Sequence, residues 1–199
     1  MRHAATKHIY AHWRRLKGRR AAPERQEFNP ADIGRHLGDL LLLESAGQGG
    51  WTFRIAGSRL CALYGSELRG RAFTEILLPQ ADEDAEEMLN AASVEGHPVI
   101  AGVTLMFVDG TNLGGELLLL PLLHEGRLDT RMLGALTFRP QDRLASGLSA
   151  GMDILSFRVL REEFGNPGFH AVDASGPLDA AVLERRGHLT VLRGGLHQA

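Results

Sequence analysis

The sequence predicts an α+β fold, an antiparallel five-stranded sheet with helices inserted between its second and third strands. Residues 51–56 alternate apolar and polar, the period of a half-buried strand. Two later apolar runs flank a turn, which predicts a hairpin, and residues 82–95 have a helical period. Grouping the helices between strands favours an α+β class. The strands are predicted at 39–44, 51–56, 99–108, 113–123 and 132–138.

The stretch 51–73, WTFRIAGSRLCALYGSELRGRAF, joins a strand to a short helix. After the alternating strand, Gly57 allows a bend, and Ser58 is predicted to cap the helix that follows. Gly65 can end that helix after about two turns. The change from a strand period to a helical period identifies this stretch as one strand–turn–helix unit, and the other predicted elements are assigned relative to it.

This stretch resembles a family of small alphaproteobacterial proteins built on one PAS domain. The family shows a strand ending in phenylalanine-arginine that runs into alanine-glycine, a helix with arginine-leucine-cysteine, and a leucine-arginine-glycine turn before phenylalanine. The matching residues are Phe53-Arg54, Ala56-Gly57, Arg59-Leu60-Cys61, Leu68-Arg69-Gly70 and Phe73. The resemblance extends from about Tyr10 to about Leu160. It implies a PAS fold and a sensory or regulatory role, without an agreed ligand.

Three segments are predicted along the chain. Residues 1–28 form a basic amphipathic helix and a linker, and residues 29–140 form the PAS-like domain, which opens with a helix capped by Asn29. Residues 141–199 are a C-terminal extension. Within that extension 152–160 can form a helix or a strand, and 178–186 is predicted to be a short helix.

Composition narrows the class of protein. The 199 residues carry a net charge of −2, which argues against a general nucleic-acid binder. The single cysteine cannot form an internal disulfide, which fits a reducing cytoplasm. No apolar run approaches the roughly 18 residues of a membrane span. We therefore expect a cytoplasmic protein without a membrane span or a nucleic-acid partner.

The N-terminal helix has two interpretations. Residues 1–22 contain seven Lys and Arg and no acidic residue, which suits anionic lipid or nucleic acid. Ile9, Trp13 and Leu16 share a helical face, which can instead dock on the domain or on a second copy, and docking is favoured. Because an apolar stripe left in water needs a cover, residues 8–16 are predicted to lie at a homodimer interface.

The search for catalytic chemistry finds no complete set of residues. His8 and His12 lack a further ligand for a metal, and the acidic residues of 82–87 lie on a face predicted to be solvated. There is no phosphate-binding loop and no nucleophile elbow. We therefore expect no catalytic residue and no metal site, and an enzyme is less favoured than a binding module.

No cofactor is implied. In flavin-binding PAS proteins a cysteine within a glycine-x-asparagine-cysteine-arginine sequence bonds the flavin, whereas Cys61 lies in a different sequence with different spacing. It is therefore interpreted as a small core thiol. Haem-binding members need a histidine on the long helix, and residues 82–95 contain none.

The favoured function is a stand-alone PAS-type sensory module that holds a small ligand in an apolar pocket, binds a protein signalling partner, or both. The alternative is a dimerisation module without a ligand. Arg59 is predicted either to bind an anionic ligand or to pair with neighbouring charges, and pairing is favoured. The residues predicted to line the pocket are Leu60, Tyr64, Phe73, Met88 and Leu105.

Overall fold

The computed structural model describes residues 1–47, 50–138 and 148–161, together with the backbone of two short strands further on. Its α-helices are α1 (Ala4–Lys17), α2 (Ser58–Tyr64) and α3 (Asp82–Ser93). Its 3-10 helices span Arg25–Glu27, Pro30–Asp39, Phe73–Ile76 and Pro79–Ala81. Its strands are β1 (Leu40–Gly47), β2 (Gly50–Ala56), β3 (Val99–Phe107), β4 (Asn112–His124), β5 (Arg127–Phe138), β6 (Ser149–Val159), β7 (Val182–Arg186) and β8 (Leu189–Leu192).

A six-stranded antiparallel sheet organises the chain, in the order β2-β1-β5-β4-β3-β6. The predicted five strands are all present, and α2 and α3 lie between the second and third as expected. The sixth strand, β6, pairs with β3, so the segment that the sequence left open between helix and strand is a strand. Long-range pairing with β3 decides this, because an isolated strand has no local signal strong enough to define it.

Two local predictions are wrong. Ser58 is the first residue of α2 rather than its cap, and Gly57 is the cap residue. Residues 182–186, predicted as helical, form β7, while the remainder of the predicted helix at 178–181 lies outside the described residues. The cap at Asn29 is confirmed, since its side chain accepts a hydrogen bond from the amide of Ala31 at 3.1 Å.

The inner face of the sheet is covered by α2, α3 and the short 3-10 helices between them. Leu41 and Leu43 of β1 point to this face, as do Leu117 and Leu119 of β4. They pack with Met88 of α3 in one apolar cluster. This cluster is the main core and contains the predicted pocket residues.

The outer face is apolar as well, and α1 covers it. Ile9 and Trp13 have no exposed surface, and they pack with Leu42, Leu118 and Leu120 in a second cluster. The stripe predicted on the N-terminal helix is therefore covered by the chain's own sheet. The signal for this was the continuous leucine runs of β1 and β4, because strands buried on both faces lose the polar alternation of half-buried ones.

Specific polar contacts hold α1 along its length. Near its start, the Glu116 carboxylate on β4 accepts hydrogen bonds from the backbone amides of Arg2 at 2.5 Å and His3 at 3.0 Å. Near its end, the indole of Trp13 donates to the carbonyl of Pro121 at 2.8 Å. Burial by itself would raise the pKa of Glu116, but the two amides and the N-terminal ammonium lower it. The carboxylate is thus kept charged by the element it holds.

Glu116→Gln should destabilise the protein by about 1–2 kcal/mol, because hydrogen bonds to a charged acceptor are stronger than those to an amide. The melting temperature should fall by about 2–8 °C. Glu86→Gln is the control, since that exposed side chain on α3 has no partner among the described residues, and it should melt within about 1 °C of the native protein. Equal melting temperatures for the two variants would show that the hydrogen bonds from the amides of Arg2 and His3 stabilise the protein equally well without the charge of Glu116.

His12 on α1 is a buried imidazole with incomplete hydrogen bonding. Its Nδ1 lies 2.9 Å from a guanidinium nitrogen of Arg15 and accepts from it, so Nε2 carries the proton of the neutral ring. That Nε2 has no hydrogen-bond partner and lies 3.8 Å from the carboxylate of Asp32. The ring edge packs on Phe28. Burial first, and then the charge of Arg15, lowers the pKa of His12.

Acidification should therefore weaken the docking of α1. Because the pKa of His12 is lower in the folded than in the unfolded chain, the unfolded chain binds more protons once the pH falls below about 6.5. The stabilisation is fully present above that pH and decreases below it. The free energy of unfolding from urea titrations at about pH 7.5 and about pH 5.5 measures the loss. His12→Phe keeps the ring but cannot bind a proton, so it should reduce the loss, whereas replacing the partly exposed His124 by Gln should not.

Candidate functional site

The five predicted pocket residues come together on the inner face. Leu60, Met88 and Leu105 have no exposed surface, Phe73 is buried, and Tyr64 is partly buried against them. They come from α2, the 3-10 helix Phe73–Ile76, α3 and β3. The residues that the sequence predicted to line a pocket thus lie in one packed cluster. Whether this cluster opens to hold a ligand stays a prediction.

Tyr64 provides the polar group at the edge of this cluster. Its hydroxyl donates to the carbonyl of Ile76 at 3.1 Å. Burial raises the pKa of Tyr64, with smaller opposing effects from Ser149 and Arg71. The phenol is therefore neutral at physiological pH and can act as a hydrogen-bond donor or acceptor, but not as a base.

The position of α2 is set by a close backbone contact. A Cβ atom added at Gly57 would lie 2.3 Å from the carbonyl oxygen of Gly38 and 2.7 Å from that of Leu37. No other residue fits without moving the backbone, so glycine is required for its size here rather than for its dihedral angles. The contact seats the start of α2 on the end of the 3-10 helix Pro30–Asp39.

Arg59 strengthens the same junction. Its Nε donates to one carboxylate oxygen of Asp39 at 2.5 Å and its Nη2 to the other at 2.6 Å, a two-bond pair. The same Nη2 also donates to the carbonyl of Arg35 at 2.9 Å. Asp39 is only 1% exposed, so the pair fixes α2 to the preceding segment. A role of Arg59 in ligand binding stays a prediction, and its guanidinium is already engaged by protein groups.

Two neighbouring arginines are also paired with carboxylates. Arg54 binds Glu44 on β1 at 3.1 Å, and Arg71 binds Glu75 at 2.9 Å. The sequence predicted ion pairs within the charged set Arg54, Arg59, Glu67, Arg69 and Arg71, whereas both carboxylates found here lie outside that set. Pairing of β1 with β2 brings Glu44 beside Arg54, whereas Glu75 lies only four residues along the chain from Arg71. Asp39, twenty residues before Arg59, gave no local signal of its role.

Cys61 on α2 is partly exposed and makes only weak contacts. Its sulfur lies 3.6 Å from a carboxylate oxygen of Glu67 and 3.9 Å from the carbonyl of Ala56. Among the described residues there is no group of three or more His, Cys, Asp or Glu side chains placed to hold a metal ion. Nothing in these contacts adds a reactive role to the thiol.

Two surface cavities lie outside the predicted pocket. One, of about 480 Å³, is lined by polar and charged residues and is called the polar cavity here; it opens between the β4–β5 turn and the 3-10 helix Arg25–Glu27. The other, of about 70 Å³, is apolar and lies beside β1 and β2. Neither includes any of the five pocket residues. The polar cavity is lined by Glu24, Arg25, Gln26, His124 and Glu125.

The family comparison agrees with this architecture. The family model PAS_5, described as a PAS domain, matches residues 1–137, which is more than half of the chain. The chain therefore belongs to the PAS domain family. PAS domains are a class of sensory signalling modules, and the sheet with helices on its inner face is the fold of that class. No curated protein matches the chain.

Solved structures with a similar fold are distant. The light-state LOV domain of the blue-light photoreceptor Aureochrome1 is 15% identical, with a TM-score of 0.42 over 53% of this chain and 84% of that one. The PAS domain of an HTR-like protein from Haloarcula marismortui is 24% identical, with a TM-score of 0.39 over 50% of this chain and 79% of that one. These values carry no information on ligand or activity.

Within the described part of the chain, no helix is long and apolar enough to cross a membrane. The longest of the α-helices, α1, has 14 residues.

Arg59→Ala should destabilise the protein more than Arg54→Ala. The first change removes two guanidinium hydrogen bonds from a buried carboxylate and should cost about 1–3 kcal/mol, whereas the second removes a surface pair that contributes about 0–1 kcal/mol. Urea unfolding of the two variants measures the difference. Equal costs would contradict the structural role. A carboxylate ligand whose thermal shift is present in the native protein and absent only in Arg59→Ala would instead support the ligand role.

Proposed function

We propose that this protein is a PAS-type sensory module in signal transduction, which binds a small apolar ligand in the inner-face cluster and reports its presence to a protein partner. The observation that supports this is the convergence of Leu60, Phe73, Met88 and Leu105, from four separate segments, on one apolar volume. The matching PAS domain family supports the sensory class.

Ligand binding on the inner face requires movement. Pockets that bury a small ligand usually have about 300–1,000 Å³, and the side chains here already fill the cluster. Met88 is the side chain best able to make room, because its unbranched chain adopts many rotamers. Tyr64, at the edge, supplies a hydroxyl for one polar group of the ligand. The ligand is thus expected to be mostly apolar.

Assembly as a homodimer through residues 8–16 remains part of the proposal, but its original reason does not apply. Ile9 and Trp13 are covered by the chain's own sheet, so a dimer contact would use the exposed side of α1. That side is basic, and two copies meeting symmetrically would repel unless acidic residues intervene. A cytoplasmic location is proposed with it, since the single cysteine has no disulfide partner.

The second candidate is a dimerisation module without a ligand. The complete burial of Leu60, Met88 and Leu105 favours it, because a core filled in this way is stable without a guest. The two functions differ in one measurable property, the presence of a bound small molecule.

Native mass spectrometry of the purified protein should show a stoichiometric small molecule that is lost on denaturation. Met88→Phe, which enlarges a side chain at the centre of the cluster, should lower the affinity roughly 5- to 150-fold, since overpacking costs about 1–3 kcal/mol, and less of the molecule should therefore be retained. Met106→Phe is the matched control, because Met106 is exposed, and it should retain the molecule.

The absence of an adduct from the native protein across several expression conditions would favour the dimerisation module. Light scattering of the same samples gives the mass in solution. A monomer at every concentration would remove the homodimer from both candidate functions.

A further inference from the structure

The apolar cavity beside β1 and β2 has the features of a docking site. It has about 70 Å³ and lies on the outer face of the sheet, next to the area covered by α1. Its walls combine residues in or next to the 3-10 helices Arg25–Glu27 and Pro30–Asp39 with residues of β1, β2 and β5. They are formed by Arg25, Phe28, Pro30, Leu37, Leu40, Leu41, Leu42, Ile55 and Leu133.

Two large aliphatic side chains at this cavity remain in water. Leu37 is 43% exposed and Ile55 is 45% exposed, although the leucines between them on β1 are buried. Removing such side chains from water is favourable by roughly 25 cal/mol for each Å² of apolar surface. A cavity flanked by two uncovered aliphatic residues is therefore a surface that gains stability when another apolar group covers it.

The size of the cavity distinguishes between kinds of occupant. Small-molecule sites usually have about 300–1,000 Å³, several times the 70 Å³ found here. A volume of this size accepts one aliphatic side chain, which is how an anchor residue of a protein partner binds. The cavity therefore suits a segment of another protein rather than a free metabolite.

The positive charge of Arg25 at the cavity indicates which kind of residue lies next to the partner's aliphatic side chain. Arg25 lines the cavity, and among the described residues its side chain donates one hydrogen bond, from Nη1 to the carbonyl of Phe28 at 3.3 Å. No described carboxylate forms an ion pair with it. A carboxylate on the partner would complete the guanidinium's bonding with a charge-assisted pair. A second copy docked symmetrically would instead place two Arg25 side chains together, so a copy of this chain is disfavoured.

We propose that this cavity is the docking site for a protein partner segment that presents an aliphatic side chain beside an Asp or Glu. The inference deepens the proposed function by naming the partner surface of the sensory module, and it rests on that function. The position fits, because Leu37 precedes Asp39 by two residues, and Asp39 binds Arg59 of α2. A displacement of α2 by a ligand on the inner face would thus act directly on one wall of the docking site.

Photo-crosslinking of the full chain in its native cells tests the proposal. With p-benzoylphenylalanine in place of Leu37, irradiation should yield one dominant product, and mass spectrometry should place its link in a segment with Val, Leu or Ile next to Asp or Glu. Arg25→Glu should lower the yield at least about tenfold, since opposing a charge at an interface is costly, and Arg25→Lys should largely preserve it. The matched control places the same crosslinker at Val108, a 76% exposed residue in the turn after β3 that does not line the cavity. Crosslinking from Val108 should not give this product.

Other products overturn the proposal: a second copy of this chain, a lipid, a nucleic acid, or a protein segment without an acidic residue. The absence of a product also overturns it, as does a yield that Arg25→Glu leaves unchanged. Ile55→Thr, a milder change that keeps a β-branched residue on the strand, should also reduce the yield, so the outcome does not depend on one folded variant. Ligand retention measured on the inner face is independent of this surface, so failure here and failure of ligand binding can be told apart.

Discussion

Burial of both faces of one antiparallel sheet is the constraint on which the rest of this structure depends. The strands β1, β4 and β5 carry leucines toward each face, so neither face can be left in water. The inner face is covered by α2 and α3 and the outer face by α1 with the 3-10 helices before β1. The apolar face of the N-terminal helix is for this reason part of the core, and most of its basic side chains are exposed to solvent.

The same arrangement places two surfaces with different chemistry back to back. The inner cluster is closed and apolar, whereas the outer face keeps a small apolar cavity with an arginine at its side. Besides the sheet itself, the junction of α2 with the 3-10 helix Pro30–Asp39 connects the two surfaces, through Arg59, Asp39 and the contact of Gly57 with Gly38. A sensory module needs such a link, because a ligand on one face affects a partner on the other only if some element contacts both.

Membership of the PAS domain family indicates a sensory signalling module. It does not identify a ligand or a partner, which must be inferred from the residues of this chain. The solved relatives are too distant to transfer a cofactor. Two features of the sequence suggested chemistry. Arg59 is instead paired with a buried carboxylate, and the acidic residues of α3 lie mostly on its solvent side. His12, which the sequence presented only as half of a possible metal pair, and Glu116, which gave no sequence signal, are buried titratable groups where α1 meets the rest of the chain.

The sequence by itself determined the elements whose side chains repeat with a period, and with them the α+β class: the five predicted strands and the long helix. These follow from local patterns, since a strand or helix shows which of its faces is apolar. Only the tertiary structure decided that β6 joins the sheet, that α1 docks on its own outer face and that Arg59 selects Asp39. Each of these is a contact between residues far apart in sequence, and local periodicity carries no information about which distant partner completes a buried face or a buried charge.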